Sequence, residues 1–137
     1  MVEWAVHMAT VERFEDLEAW RLARTLAGDI YRMSRQGAFA RDFGFRDQIR
    51  RAAVSIVSNI AEGFERSSTN QFLAFLDIAR GSCGEVRTQL HLALDLGYID
   101  QDQFDASFNT VIRVGKMISS LMQYLRALPR PRTPSAP

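Results

Sequence analysis

From Gly44 to Phe64 the chain reads GFRDQIRRAAVSIVSNIAEGF, and its apolar residues nearly encircle a helix. At about 100° per residue, Phe45, Ile49, Ala53, Ile56 and Ile60 form one apolar stripe. Gln48, Ser55, Asn59 and Glu62 form a polar file beside it, within an arc of roughly 60°. One face of this helix builds a core, and another must meet something else.

Three further segments carry the same period. Leu17, Trp20, Ala23, Ala27, Ile30, Tyr31 and Ser34 predict a helix over 15–35, with Gly37 as its stop and Glu15, Asp16 and Glu18 in its first turn, where the helix dipole favours acids. A loop with Gly37, Phe39, Phe43 and Gly44 leads to the central helix, which runs to about 66. Ser68 and Gln71 then have the spacing of a capping box that opens the third helix. Its main stripe is Phe72, Leu76, Ala79, Cys83, Val86, Leu90 and Ala93, and a second seam of Ala74, Ile78, Leu92 and Leu96 lies on nearly the opposite side. Gly81 and Gly84 sit mid-helix at about 1 kcal/mol each relative to Ala, which predicts close approach by another backbone. Gly97 reads as the C-cap, and Asp100 with Gln103 repeats the capping pattern. Phe104, Phe108, Val111, Ile112, Gly115, Ile118, Met122 and Leu125 give a fourth helix over 102–128. Four helices on short connections predict an all-α, antiparallel up-and-down four-helix bundle over 14–128.

Composition bounds this picture without changing it. At 137 residues, 47% hydrophobic and 24% charged, the chain suits one soluble domain with one core. All four prolines fall in the last nine residues, so 129–137 read as a disordered Pro/Arg tail. Residues 1–13 read as a loose leader with no signal-peptide or membrane-spanning pattern, and Met8 is a second candidate start. The net charge of +1 hides an asymmetry: residues 1–30 carry six acids against three arginines, whereas 106–137 carry five basic residues and no acid. Sixteen of the seventeen basic residues are Arg, a composition that either phosphate pairing or codon bias produces. Cys83 is the only cysteine, so no internal disulfide forms and the cytoplasm is the expected compartment.

Candidate chemistry is sparse. His7 and His91 have no ligand at metal-binding spacing, Cys83 lies in an apolar stripe as a buried thiol does, and phosphate-loop, HExxH and GxSxG patterns are missing. No catalytic residue, metal or cofactor is expected. The best constellation pairs Ser55, Asn59 and Glu62 with Ser82, Glu85 and Gln89 as a polar network or interface, with Arg51, Arg66, Arg80 or Arg87 neutralising the carboxylates. Arg46, Arg50 and Arg51 read as a solvated face, a phosphate-binding cluster or inter-subunit ion pairs. Val54 and Val57, with Ile78, Leu92 and Leu96, make an apolar seam expected to be buried between subunits.

FEDLEAW at 14–20, the block QIRRAAVSIVSNIAEGFERSS and the block IARGSCGEVRTQLHLALDLGYI together resemble the four-helix-bundle proteins encoded in intervening sequences of bacterial 23S rRNA genes. The likeness covers roughly 13–128. That family usually has proline after the Ser-Ile pair and another in the first loop; here Val57 stands at the former and the loop has none. The resemblance implies a ring-shaped homopentamer without established enzymatic activity, similar also to accessory proteins that partner a reverse transcriptase and bind nucleic acid. The expected function is a non-enzymatic oligomeric scaffold that binds RNA or a reverse-transcriptase-like nucleoprotein through arginine-lined surface. A purely protein-binding assembly adaptor is the alternative, and a hydrolase or nuclease the third class.

Overall fold

The structure, a computed structural model, describes residues 10–129. A 3₁₀ turn at Phe14–Asp16 precedes α1 (Glu18–Met33), which is followed by a short α2 (Gly37–Arg41), α3 (Phe43–Phe64), α4 (Thr69–Asp95) and α5 (Gln101–Ala127). Among the described residues all regular structure is helical. The expected leader and tail, with Met8, His7, Arg130 and Arg132, lie wholly or largely outside these residues, although Val11 already packs against the core.

Local chemistry explains the helix ends. Asp100 and Gln103 form the full reciprocal box, Gln103 N donating to Asp100 Oδ1 at 2.8 Å and Asp100 N to Gln103 Oε1 at 3.0 Å. At Ser68 only half of the expected box forms, with the hydroxyl accepting from Gln71 N at 3.1 Å. Gly97 ends α4 as read: at φ +71° it donates to Leu94 O at 3.0 Å, while Tyr98 N donates to Ala93 O at 2.9 Å, the paired bonds of a Schellman cap. The expected loop after α1 is instead helical at Gly37–Arg41, and α3 begins at Phe43 because Asp42 Oδ1 accepts from Phe45 N at 3.3 Å.

α3 packs on α1 and α4, and α5 packs on α4 and α1, which closes a four-helix square. The core is the overlap of the four stripes: Ala23, Leu26 and Ile30 from α1, Ile49, Ala53, Ile56 and Ile60 from α3, Leu76, Ala79, Val86 and Leu90 from α4, and Val111, Val114 and Ile118 from α5 are all fully buried. Each large side chain removed from water in this way contributes about 1.5–3 kcal/mol. Three pattern-based placements shift. Tyr31, read as part of the α1 stripe, is 38% exposed, and Leu26 and Met33 fill the core instead. Val57 is half-buried against the core rather than free on the outer side.

The third shift concerns the glycines. A Cβ at Gly81 or Gly84 would meet nothing within 4 Å, so among the described residues no other element's backbone approaches them. The close approach is at Gly63, where a Cβ would lie 2.8 Å from Phe72 Cδ1 and 2.9 Å from Phe75 Cβ. There α3 meets α4 at the tight end of their hairpin, and only a missing side chain allows it. At the other end Phe39, the one buried residue of α2, stacks on Tyr98 with centroids 5.3 Å apart and lies 5.6 Å from Phe45.

Candidate interaction surfaces

The polar file of α3 does meet α4. Ser55 Oγ and Ser82 Oγ are 2.9 Å apart, and Asn59 Nδ2 donates to Ser55 O at 2.8 Å and to Ser55 Oγ at 3.0 Å. Ser82 is buried, Ser55 and Asn59 half-buried, so the three hydroxyl and amide groups satisfy one another at the helix contact. Glu62 and Glu85 are exposed and stand outside this network. The arginines proposed to neutralise them are occupied elsewhere or point to water: Arg66 lies 4.7 Å over the Phe75 ring, Arg80 pairs with Asp77 at 2.9 Å, and Arg87 lies 5.8 Å from the Phe108 centroid.

Gln89 is the exception. Its Oε1 is buried with no hydrogen-bond partner, a state that costs about 1–3 kcal/mol when nothing compensates it. Counting seven residues from the Ser55–Ser82 contact in opposite directions along the antiparallel pair puts exposed Gln48 level with it. The orphan lies on the same side of α4 as Ile78, Leu92 and Leu96, which are 53%, 46% and 56% exposed, together with Ala74, bare Gly81 and the exposed carboxylate of Glu85. Val54 of α3, 42% exposed, stands apart from this patch, beside Tyr31, Arg50 and Arg51 on the α1 side of its helix. Single exposed leucines need no explanation, but several aligned on one helix face, beside an unsatisfied carbonyl, form an unpartnered surface.

The arginine trio divides. Arg46 and Arg50 share a side of α3 and are tied down: Arg46 donates from Nη1 to Ala40 O at 3.1 Å, from Nε to Asp47 at 3.1 Å, and lies 4.8 Å over Phe43. Arg50 Nε donates to Ser34 Oγ at 2.7 Å, and its guanidinium lies 4.5 Å over Tyr31. Ser34 is fully buried and itself donates to Tyr31 O at 3.2 Å, so this arginine is oriented by α1. Arg51, about 100° further round, is exposed. Arg50 and Arg51 nevertheless border one shallow depression of about 340 Å³ with Tyr31, Asp47 and Val54. Asp47 puts a negative charge within it. The Arg50–Ser34–Tyr31 arrangement has no local signature in sequence, because it joins residues sixteen positions apart.

Burial pushes the Cys83 thiol up to about 12, against an opposing pull from Arg87, so no thiolate is at hand near neutral pH. His91 is exposed and packs against Phe104 and Phe108 with centroids 5.1 and 5.2 Å away. Among the described residues there is no group of three metal-ligating side chains, and no helix is long and apolar enough to cross a membrane.

Comparison with known proteins agrees with the resemblance carried by the sequence blocks. The family described as 23S rRNA-intervening sequence protein matches residues 15–120. Among solved structures, a protein of unknown function from the S23 ribosomal protein family of Bacteroides thetaiotaomicron superposes with a TM-score of 0.71 at 24% identity, over 77% of this chain and 95% of its own. At that identity the likeness shows the shared fold alone. No curated protein matches.

Proposed function

We propose, from the premise that this chain belongs to the family of 23S rRNA-intervening sequence proteins, that it is a non-enzymatic scaffold which assembles with copies of itself through the outer face of the α3–α4 hairpin. One observation carries this reading: Ile78, Leu92 and Leu96 are each about half exposed on one side of α4, beside the unpartnered Oε1 of Gln89. A neighbouring subunit would remove the apolar groups from water at about 25 cal/mol per Å² and could bring a donor to the orphan carbonyl. Gly81 and Ala74 leave room for its backbone. In the ring reading this face meets a different face of the next copy, a head-to-tail contact whose rotation closes. Five subunits is the number the family resemblance supports, and the cytoplasm remains the proposed compartment.

Light scattering tests the assembly. The expected mass is about five times the 15.6 kDa of one chain at micromolar concentration, and Leu92→Glu should give monomers with unchanged helical circular dichroism. A parent protein that runs at a single chain mass sinks the proposal.

RNA or nucleoprotein binding is a second reading, supported by exposed Arg51 beside pre-oriented Arg50 at one depression. A ring would repeat the pair once per subunit, so weak phosphate contacts would add. Structured RNA should then bind the parent at low salt, with Arg51→Gln flattening the slope of log affinity against log salt. Arg46 and Arg50 are poorer test positions because both also hold the fold together. No binding by the parent at low salt leaves a protein adaptor as the function.

A further inference from the structure

The assembly face uses only one side of α4. On another side Arg80, Gly84 and Arg87 follow at four- and three-residue steps. Across from them α5 supplies Gly115, Lys116 and Ser119, and an open groove of about 610 Å³ runs between the two helices. That volume is in the range of about 300–1,000 Å³ typical of specific ligand sites. Its floor is apolar, made by buried Cys83 and Val111 with half-buried Ile112. Its rim is cationic, with Arg80, Arg87 and Lys116 all exposed and no acidic residue among those that line it. Asp77 pairs with Arg80 at 2.9 Å, but both are well exposed, and such pairs are weak enough to exchange.

The two glycines make the groove wide. A Cβ at either Gly84 or Gly115 would meet nothing within 4 Å, so neither is required by packing among the described residues. Each nevertheless destabilises its helix relative to Ala. Bare backbone in a groove permits close approach by another backbone.

We propose that this groove docks an acidic amphipathic helix of a partner protein. The apolar face of that helix lies on half-buried Ile112 and the bare backbone of the two glycines, and its flanking carboxylates meet Arg80, Arg87 and Lys116. The charge of the rim sets the sign of the occupant. An apolar floor favours a peptide over a bare polyanion, since phosphates gain nothing from it. The seven-residue step from Arg80 to Arg87 spans about 10.5 Å along α4, which matches acids two turns apart on a second helix. Leu92 is not among the residues that line the groove, so Leu92→Glu perturbs the proposed assembly face without altering the groove itself.

The probe is a fluorescein-labelled amphipathic peptide of about three heptads, with Leu at the a and d positions and Glu beside them, titrated with full-length protein by fluorescence anisotropy. Saturable binding is expected. Gly84→Leu, which fills the groove in space that is open, should weaken it at least about tenfold, and Arg87→Glu with Lys116→Glu should do the same. A Lys-substituted peptide should prefer that charge-reversed protein. Circular dichroism of each variant keeps misfolding apart from lost contact. Leu92→Glu should leave binding within about twofold, so failure of the assembly reading and failure of this one remain distinguishable. Absence of saturable binding by the parent overturns the proposal, as does Gly84→Leu binding like the parent. Full displacement by a single-stranded RNA, with Gly84→Leu without effect, would show a polyanion surface and overturn it as well.

Discussion

The phenolic hydroxyl of Tyr98 donates a 2.7 Å hydrogen bond to Oδ2 of Asp42, a residue 56 positions earlier. The same carboxylate caps α3 through Oδ1, so one side chain both starts a helix and ties down the α4–α5 connection. Tyr98 also stacks on Phe39, which closes that end of the core.

This bond has a pH signature. Hydrogen bonding to Asp42 first, then burial, then the negative charge, raises the Tyr98 phenol above its ordinary 10.0. The folded phenol therefore keeps its proton to higher pH than the unfolded one, and its contribution is intact below about pH 10 and lost as pH rises through the folded value. Tyr98→Phe should lower the melting temperature near neutrality, and the gap to the parent should shrink above about pH 10. A gap that stays constant into alkali would show that the phenol and carboxylate are not linked. Asp42→Ala should be worse than Tyr98→Phe, because it also removes the cap.

The Ser55–Ser82 contact predicts coupling. Ser82 is 4% exposed, so Ser55→Ala leaves a buried hydroxyl short of its partner at about 1–3 kcal/mol. With Ser82→Ala added, the orphan disappears, and the double variant should be less destabilised than the sum of the singles by about 0.5 kcal/mol or more. Urea denaturation of the four proteins decides it, strict additivity meaning that the two hydroxyls do not interact.

Two glycine substitutions should move stability in opposite directions. Gly63→Ala drives a methyl into Phe72 and Phe75 and should destabilise by about 1–3 kcal/mol. Gly84→Ala enters open space on a helix and should stabilise by about 0.5–1 kcal/mol. Equal effects at the two sites, read from melting curves, would contradict the packing described at Gly63.

That pair also shows where sequence reasoning reached its limit. A glycine in a helical pattern says that a side chain is missing and not whether the space is taken, so Gly81 and Gly84 looked crowded and Gly63 unremarkable. The stripes of α3, α4 and α5, the Gly97 cap and the Asp100 box were legible because each is written in residues three to seven apart. α2 was not, since five residues carry no period and only tertiary contact buries Phe39. The polar file was legible as a file, yet which members pair depended on burial: Ser55, Asn59 and Ser82 fall at the helix contact, while Glu62 and Glu85 fall outside it. Arg50 shows the same limit, because its partner on α1 is reached only once the helices pack.

The Tyr98–Asp42 tie also places the ends of the bundle. It brings the α1–α3 connection and the α4–α5 connection to one pole, where Ser107 Oγ donates to Met33 Sδ at 3.9 Å between α1 and α5. The start of α1, the α3–α4 connection and the end of α5 must then share the other pole, and α1 packs beside α5. The first turn of α1 and the last turn of α5 lie there, away from the Phe39–Tyr98 stack. Linking residue 129 back to residue 10 and reopening the chain at exposed Ser67 should give a circular permutant that keeps the four-helix packing.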